Sequence, residues 1–286
     1  MVVTLSVQLR GFQPEDAAFV RSLVAEQGWN AGVHDVETFT AVDPEAWIVA
    51  EVDERPVGIV LATRWNESHG WIGLYLVHPE FRGRGIGLEL FRAALARLAP
   101  GSVGLDGDAR QQANYRRSGF VDVHANTRWR GPARLWRARA EAAEVVDARE
   151  LPIEPLVDLD ARAVASPRPR LIRAWLAQPE ARHVSLLRDG HVAGLATARP
   201  ARQGWKIGPL YAADASVAQA LLAAVTQDLD PDDECWLDAP NPNAAATALM
   251  EDVGATGVPT SARMVRGQGP VGDTSVMFAL LAHEVG

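Results

Sequence analysis

Apolar and polar residues along the first half of the chain follow two alternating periods. Residues 3–10 (VTLSVQLR) have the pattern of a short strand. The stretch GFQPEDAAFVRSLVAEQG then sets a proline near a helix start, acidic residues in the first turn, and Ala18, Val20, Leu23 and Val24 at helical spacing. Residues 46–53 (AWIVAEVD) and 56–63 (PVGIVLAT) are strand-like runs about the polar turn Asp53-Glu54-Arg55, which predicts a hairpin. A further strand, WIGLYLV (71–77), ends at His78-Pro79. A helix is predicted over 86–99, with Ile86, Leu90, Phe91, Ala94, Leu95 and Leu98 on one face. Strand 102–106, the helical stretch ARQQANYRRSG and strand-like FVDVHANTRWR complete the pattern. The order β-α-β-β-β-α-β-α-β predicts an α/β fold of the mixed, α+β kind, a central mixed sheet flanked by helices.

The second half echoes the first. HVSLLRDGHVAGLATAR (183–199) repeats the hairpin, with Gly194 where Gly58 stood (194 − 58 = 136), and Gly254 follows Gly119 at nearly the same offset (254 − 119 = 135). Two distant landmarks sharing one offset predict a duplicated unit. The boundary is expected near residue 140, in WRARAEAAEVV, dividing the chain into 1–140 and 141–286.

A length of 286 residues suits two such units, and 48% apolar with 22% charged residues is a core-forming composition. The net charge of −8, without blocks of like charge, argues against a nucleic-acid surface and fits a small cationic partner such as an amine. Cys235 is the one cysteine, so an intrachain disulfide or cysteine metal cluster is excluded. Histidines are scattered without an HxxH or HExxH pair, which predicts no metal. With neither a signal-peptide pattern nor a long apolar run, the expectation is a cytoplasmic protein without a membrane partner. The composition leaves open monomer or homodimer.

The segment LYLVHPEFRGRGIGLELF (74–91) carries the chemistry. A buried strand meets Pro79, then Arg82-Gly-Arg-Gly-Ile-Gly87, then an amphipathic helix. Glycines let several backbone N–H groups turn toward one point, and the helix N-terminus adds free amides, so the loop suits a pyrophosphate. A Walker loop would require Lys followed by Ser or Thr, which is missing here, and a dinucleotide fingerprint would require glycine where Leu88 stands.

This segment resembles motif A of the GNAT superfamily, [QR]-x-x-G-x-[GA], filled by Arg82, Gly85 and Gly87. Trp29-Asn30-Ala-Gly-Val-His34-Asp35, Ile72-Gly-Leu-Tyr75, Gly104-Leu-Asp106-Gly and Gln111-Gln-Ala-Asn114-Tyr115-Arg-Arg-Ser-Gly119-Phe120 resemble a bacterial GNAT branch with a tandem C-terminal GNAT-like domain. Lys206-Ile-Gly-Pro-Leu210 matches that second domain. The resemblance implies two tandem GNAT-like domains and an acetyl-CoA-dependent N-acetyltransferase acting on a primary amine, expected to be of a small molecule, by direct attack in a ternary complex. Alternatives are a protein N-acetyltransferase and a non-catalytic acyl-CoA sensor. It also implies that Leu76 and Val77 bind the pantetheine arm through their backbone, and that Gly83, Arg84, Gly85, Ile86, Gly87 and Leu88 cradle the pyrophosphate. Arg82 adds charge.

By the same resemblance Tyr115 is the general acid, or a packing residue against the cofactor. Asp108 stands where relatives place a cofactor-binding Asn, with Asn114 the nearby alternative. No carboxylate lies on the strand before motif A, where a general base is common. Asp35, His34, Glu37 and Asp106 remain, Asp106 equally as a structural acceptor and Asp35 equally as a helix cap. Trp29, Asn30, His34 and Asp35 are the expected acceptor-site residues. The second half lacks a glycine loop in WKIGPLYAADASVAQALLAAV, so it is expected to be structural or to wall the acceptor pocket, with Trp205, Lys206 and Asn241 as pocket residues.

Overall fold

The computed structural model describes residues 6–137, 144–269 and 271–286; the boundary expected near residue 140 and the first residues of the expected strand 3–10 lie outside them. Along the first half run β1 (Val7–Gly11), α1 (Asp16–Glu26), α2 (Asp35–Val42), β2 (Trp47–Val52), β3 (Arg55–Arg64) and β4 (His69–Val77). Then come α3 (Ile86–Leu98), β5 (Ser102–Asp108), α4 (Gln112–Arg117), β6 (Val121–Pro132) and α5 (Ala133–Trp136). Helix α2 is absent from the pattern above, since its eight residues are too few to register a helical period. The second half continues with β7 (Val145–Asp147), α6 (Ile153–Val164), α7 (Pro169–Leu176), β8 (Arg182–Arg188), β9 (His191–Pro200) and β10 (Trp205–Ala212). It ends with α8 (Ala215–Thr226), β11 (Glu234–Pro240), α9 (Ala244–Asp252), β12 (Thr256–Arg266) and β13 (Met277–Ala279).

The repeated landmarks do the same physical work in both halves. Asp53 and Glu54 (φ 48° and 61°), like Asp189 and Gly190 (φ 53° and 75°), take the left-handed pair of torsions that a tight hairpin requires. Cβ atoms at Gly58 and Gly194 would strike Leu90 and Leu221, so each glycine lets a helix close onto a strand. Gly119 and Gly254 (φ 87° and 80°) each follow a short helix.

The two halves do not keep their strands to themselves. One continuous mixed sheet runs β1-β2-β3-β4-β5-β12-β6-β11-β10-β9-β8-β7. Strand β12 lies between β5 and β6, antiparallel to both, with Met264 opposite Leu105 and Arg263 opposite His124. Strand β6 crosses to β11, pairing Trp129 with Leu237. Each half therefore lends its last long strand to the other.

Side-chain alternation divides the sheet into two faces. Trp47, Val49, Ile59 and Leu61 pack with α1, α2, α6 and α7 in a core shared by both halves, including Phe39 stacked 6.4 Å from Trp175. On the opposite face Ala50, Val60 and Ala62 pack under α3, and Ala196 and Ala198 pack under α8, in separate cores. Ile86, Leu90, Phe91, Ala94 and Leu98 of α3 are buried as its spacing predicts. The larger of these side chains each contribute roughly 1.5–3 kcal/mol.

After β12 the chain returns through β13, which pairs antiparallel with β10, and residues 280–286 cross to the first half. Leu280 N–H donates to Asp238 O (2.8 Å), and Trp71 Nε1 donates to His283 O (2.9 Å). Arg168, fully buried, donates to Val285 O and Gly286 O (both 2.6 Å) and forks onto Asp160 at 2.9 and 2.6 Å.

Two expectations follow. Because strands are exchanged, urea unfolding followed by circular dichroism and by tryptophan fluorescence should give one coincident transition; two separate transitions would mean that the halves fold independently. Arg168→Leu should lower stability by about 3–5 kcal/mol, since it strands the buried Asp160 carboxylate, as read from the urea midpoint.

Candidate active site

The site arises where neighbouring parallel strands part. Strands β4 and β5 pair only at their starts, His69 with Ser102, Gly70 with Val103 and Trp71 with Gly104. Beyond Trp71 they diverge. In the pairing of β3 with β4, Leu61 faces Gly73 and Ile59 faces Leu76, so Leu74 and Tyr75 together oppose one residue. This is a β-bulge, and Leu74 is held at φ 43° within it. The bulge lies just before Leu76, whose backbone the resemblance assigns to the pantetheine arm.

A cavity of about 530 Å³ opens between the strands, lined by Leu76, Val77, Arg82, Gly83 and Gly87 at the loop end. Gly83 and Gly85 take φ of 75° and 87°, and a Cβ on either would meet nothing within 4 Å, so the loop backbone faces open space. The first helical bond after the loop is Glu89 N–H to Gly85 O; the amides of Gly83 to Leu88 have no hydrogen-bond acceptor among the described residues. Such a row of free amides at the start of the 13-residue helix α3 fits a pyrophosphate. Gly87 also makes room for Tyr75, whose hydroxyl lies 2.6 Å from where a Cβ would stand.

Arg82 lines the cavity, its Nε donating to Val77 O (2.9 Å), whereas the Arg84 guanidinium lies over the Phe81 ring. Ile86 points into the core and Leu88 into solvent. Tyr115 lines the cavity, its ring set between Phe91 (5.7 Å) and Phe120 (6.2 Å). Burial, then the neighbouring Tyr75 and Asp108, raise its pKa and hold the phenol protonated. Asn114 lies outside the cavity on the exposed face of α4, bonded to Gln111.

The acceptor end brings both halves together. Trp29 and Asn30 line it, and Asn30 exchanges bonds of 2.8 and 2.9 Å with the Gln203 backbone. His34 and Asp35 lie away from the lining. His34 Nε2 meets Glu180 at 3.1 Å, while buried Asp35 is forked by Arg199 at 2.9 and 3.2 Å and accepts from Gly32 N–H. Glu37 is on the surface, paired with Arg21. Asp106 lines the cavity, but Arg263 occupies both its oxygens (3.1 and 2.9 Å) and Asn126 adds a bond at 3.2 Å. Lys206 lines the cavity; Trp205 bonds Asp233, and Asn241 bonds Thr127, both outside it. The lining also includes Arg128, Thr260, Ser261, His283 and Glu284. Nothing local in the sequence marks these, since Arg128 lies on the exchanged β6, and β12 and residues 280–286 carry the others to the first half. Among the described residues no cluster of three or more His, Cys, Asp or Glu is placed to hold a metal, and no helix is long and apolar enough to cross a membrane.

Residues 17–120 match the family model described as the GNAT acetyltransferase family, and residues 156–279 match that of a GNAT acetyltransferase domain. The chain belongs to the GNAT acetyltransferases as a tandem-domain member and is an acyltransferase. Among its relatives is a holothin acyltransferase of Pseudoalteromonas sp. (strain SANK 73390), 27% identical over 273 residues, spanning 95% of this chain and 92% of the relative. A crystal structure from Pyrococcus horikoshii assigned to the acetyltransferases has the same fold, with a TM-score of 0.84 at 24% identity over 98% of this chain and 96% of that one. A tandem GNAT protein from the clavulanic acid biosynthesis pathway has a TM-score of 0.64 at 16% identity, covering 93% and 99% of the two chains.

The carboxylates tied to arginines across the halves make stability depend on acid. Burial alone would raise the pKa of Asp35, but the charge and hydrogen bonds of Arg199 outweigh it and leave the value lowered; Arg263 does the same for Asp106. A pKa lowered by folding contributes stability that is present above the unfolded value of about 4 and lost as pH falls below it. The melting temperature should therefore drop steeply below about pH 4. Asp35→Asn should cost about 3–5 kcal/mol at pH 7, with a shallower acid limb, as read by calorimetry between pH 7 and pH 3.

Proposed function

We propose that this acyltransferase moves an acetyl group from acetyl-CoA to a primary amine of a small molecule, both bound in the cavity between β4 and β5. The observation that carries this reading is the cavity itself. Free amides line one end, a buried phenol stands beside it, and the other end is walled by polar and aromatic residues of both halves. Its size, about 530 Å³, suits a small ligand. The loop amides would hold the pyrophosphate, and the parted strand edge beside Leu76 and Val77 would receive the pantetheine arm. Acetyl-CoA supplies the activated thioester. The protonated Tyr115 hydroxyl would give its proton to the departing sulfur. Access for an amine already bearing a flexible chain suits a small molecule better than a folded protein, because the far wall belongs to the second half.

We infer further that the chain comprises two GNAT-like units, 1–140 and 141–286, and that the first alone binds acetyl-CoA. In the second unit β10 and β11 also pair parallel only at their starts, Trp205 with Cys235 and Lys206 with Trp236. There β13 is hydrogen-bonded along β10, filling the wedge where the first unit is open. The helix after β10 begins at Asp214, whose carboxylate accepts from Val217 N–H at 3.0 Å, so an anion already caps it.

Calorimetric titration with acetyl-CoA and desulfo-CoA tests the reading. Wild type should bind one equivalent per chain. Gly85→Glu should weaken binding at least 100-fold, since it forces a side chain into left-handed backbone and a negative charge toward the phosphates. No binding would overturn the cofactor assignment, and two equivalents would overturn the closed second wedge. Turnover is then read with holothin, tryptamine and spermidine as acceptors.

A further inference from the structure

The cavity holds three carboxylates, Asp106, Asp108 and Glu284, and two are engaged. Arg263 takes both oxygens of Asp106, and Arg110 takes both oxygens of Asp108. Glu284 differs. Its side chain is buried, with the residue 8% exposed, yet Oε2 has no hydrogen-bond partner. A buried carboxylate oxygen without a partner costs free energy in the resting protein, and a cation entering the cavity relieves that cost.

Its placement is enforced by backbone. A Cβ at Gly73, in the bulged strand, would lie 2.1 Å from Glu284 O, so the main chain of Glu284 rests directly on β4. Trp71 holds the preceding carbonyl, and Arg168 holds the two that follow. The carboxylate thus stands beside the strand whose continuation, Leu76 and Val77, lines the same cavity. Arg128 and Lys206 lie close enough to feel the charge of Glu284, although burial and then the Arg128 charge leave the Lys206 pKa lowered. Asp238, which occupies Arg128 at 2.7 and 2.9 Å, and His283 complete the charged surroundings, with Asp106 and Arg263 on β5 and β12.

We propose that Glu284 is the catalytic base, receiving a proton from the acceptor's ammonium group in the first unit's cavity from a position on the segment that closes the second unit's wedge. This rests on the amine-acetylation reading above. Glu284 takes one proton from the ammonium and releases it to solvent. The freed nitrogen lone pair forms the C–N bond, and the C–S bond breaks with its electrons leaving on sulfur. Tyr115 gives its proton to that sulfur and is reprotonated, through solvent, by the second proton that the nitrogen loses.

The test compares wild type with Glu284→Gln in the full-length protein. It measures acetyl-CoA affinity by calorimetry, and acetylation of holothin, tryptamine and spermidine at pH 7 and pH 9.5. Hydrolysis of acetyl-CoA without an amine is followed in parallel and subtracted as background. The variant should keep acetyl-CoA affinity within about twofold while kcat falls about 100-fold or more at pH 7. The deficit should narrow at pH 9.5, where a larger share of an amine with pKa of about 10 is already neutral. A purely structural role would leave the deficit equal at both pH values. Unchanged kcat, or a deficit independent of pH, overturns the proposal while leaving acetyl-CoA binding in place. Absence of acetyl-CoA binding by wild type overturns the acetylation reading and this proposal with it. Should Glu284→Gln not fold, Glu284→Ala titrated with formate decides the point: recovery of kcat supports the base, and no recovery overturns it.

Discussion

The exchange of β6 and β12 is the constraint from which the rest of the molecule follows. With β12 inserted between β5 and β6, neither half closes its sheet alone, and every backbone bond of the long central strands joins the two. A paired strand cannot slip by one residue without turning its whole apolar set to the opposite face. The exchange therefore fixes register as well as proximity. It places Ser261 and Arg263 of the second half directly opposite Asp108 and Asp106 of β5, and Arg128 of the first half beside Asp238 of the second.

Electrostatics reinforces the same geometry. Asp35 with Arg199, Asp106 with Arg263, and Arg128 with Asp238 each join one half to the other, and each is bidentate. Buried pairs of this kind add little over apolar packing, but breaking one leaves an uncompensated charge, so they act chiefly as determinants of unique docking. Their effect on the site is indirect. By occupying Asp35 and Asp106, the arginines engage two of the carboxylates that the sequence offered as bases, and leave Glu284 as the pocket carboxylate with a buried oxygen lacking a partner.

The loop end of the cavity was legible in the sequence because its chemistry is local. Arg82, Gly83 and Gly87 sit within one strand–loop–helix unit, and the glycines state their backbone requirement directly. Tyr115 was legible for the same reason, one turn before Gly119 and Phe120. The hairpins and α3 could be read from short-range periods, and the duplication from landmark glycines sharing one offset. The exchange of strands could not, because β6 and β12 carry the same alternation whichever neighbour they pair with. His283 and Glu284 follow an apolar run at residues 276–282 that reads as ordinary core. Only the path of that segment between the halves reveals that its two polar residues face the cavity. Helix α2 escaped notice for want of length, and with it the burial of Asp35.

Gly73 and Gly208 stand at matching points of the two units (208 − 73 = 135), and the returning segment touches both. Glu284 O lies 2.1 Å from the place of one absent Cβ, and Leu280 O lies 2.3 Å from the place of the other. Between those carbonyls the chain bends at Leu281 and turns over residues 283–285, with Gly286 N–H donating to Ala282 O (3.0 Å). That short stretch is in effect a clasp seated in two notches, its bent shape matched to the spacing that the shared sheet gives the two wedges. An ancestral duplicate would have had two equivalent openings. With β13 closing one opening and the residues after it walling the other, a few residues of one unit are part of the geometry of the other unit's site.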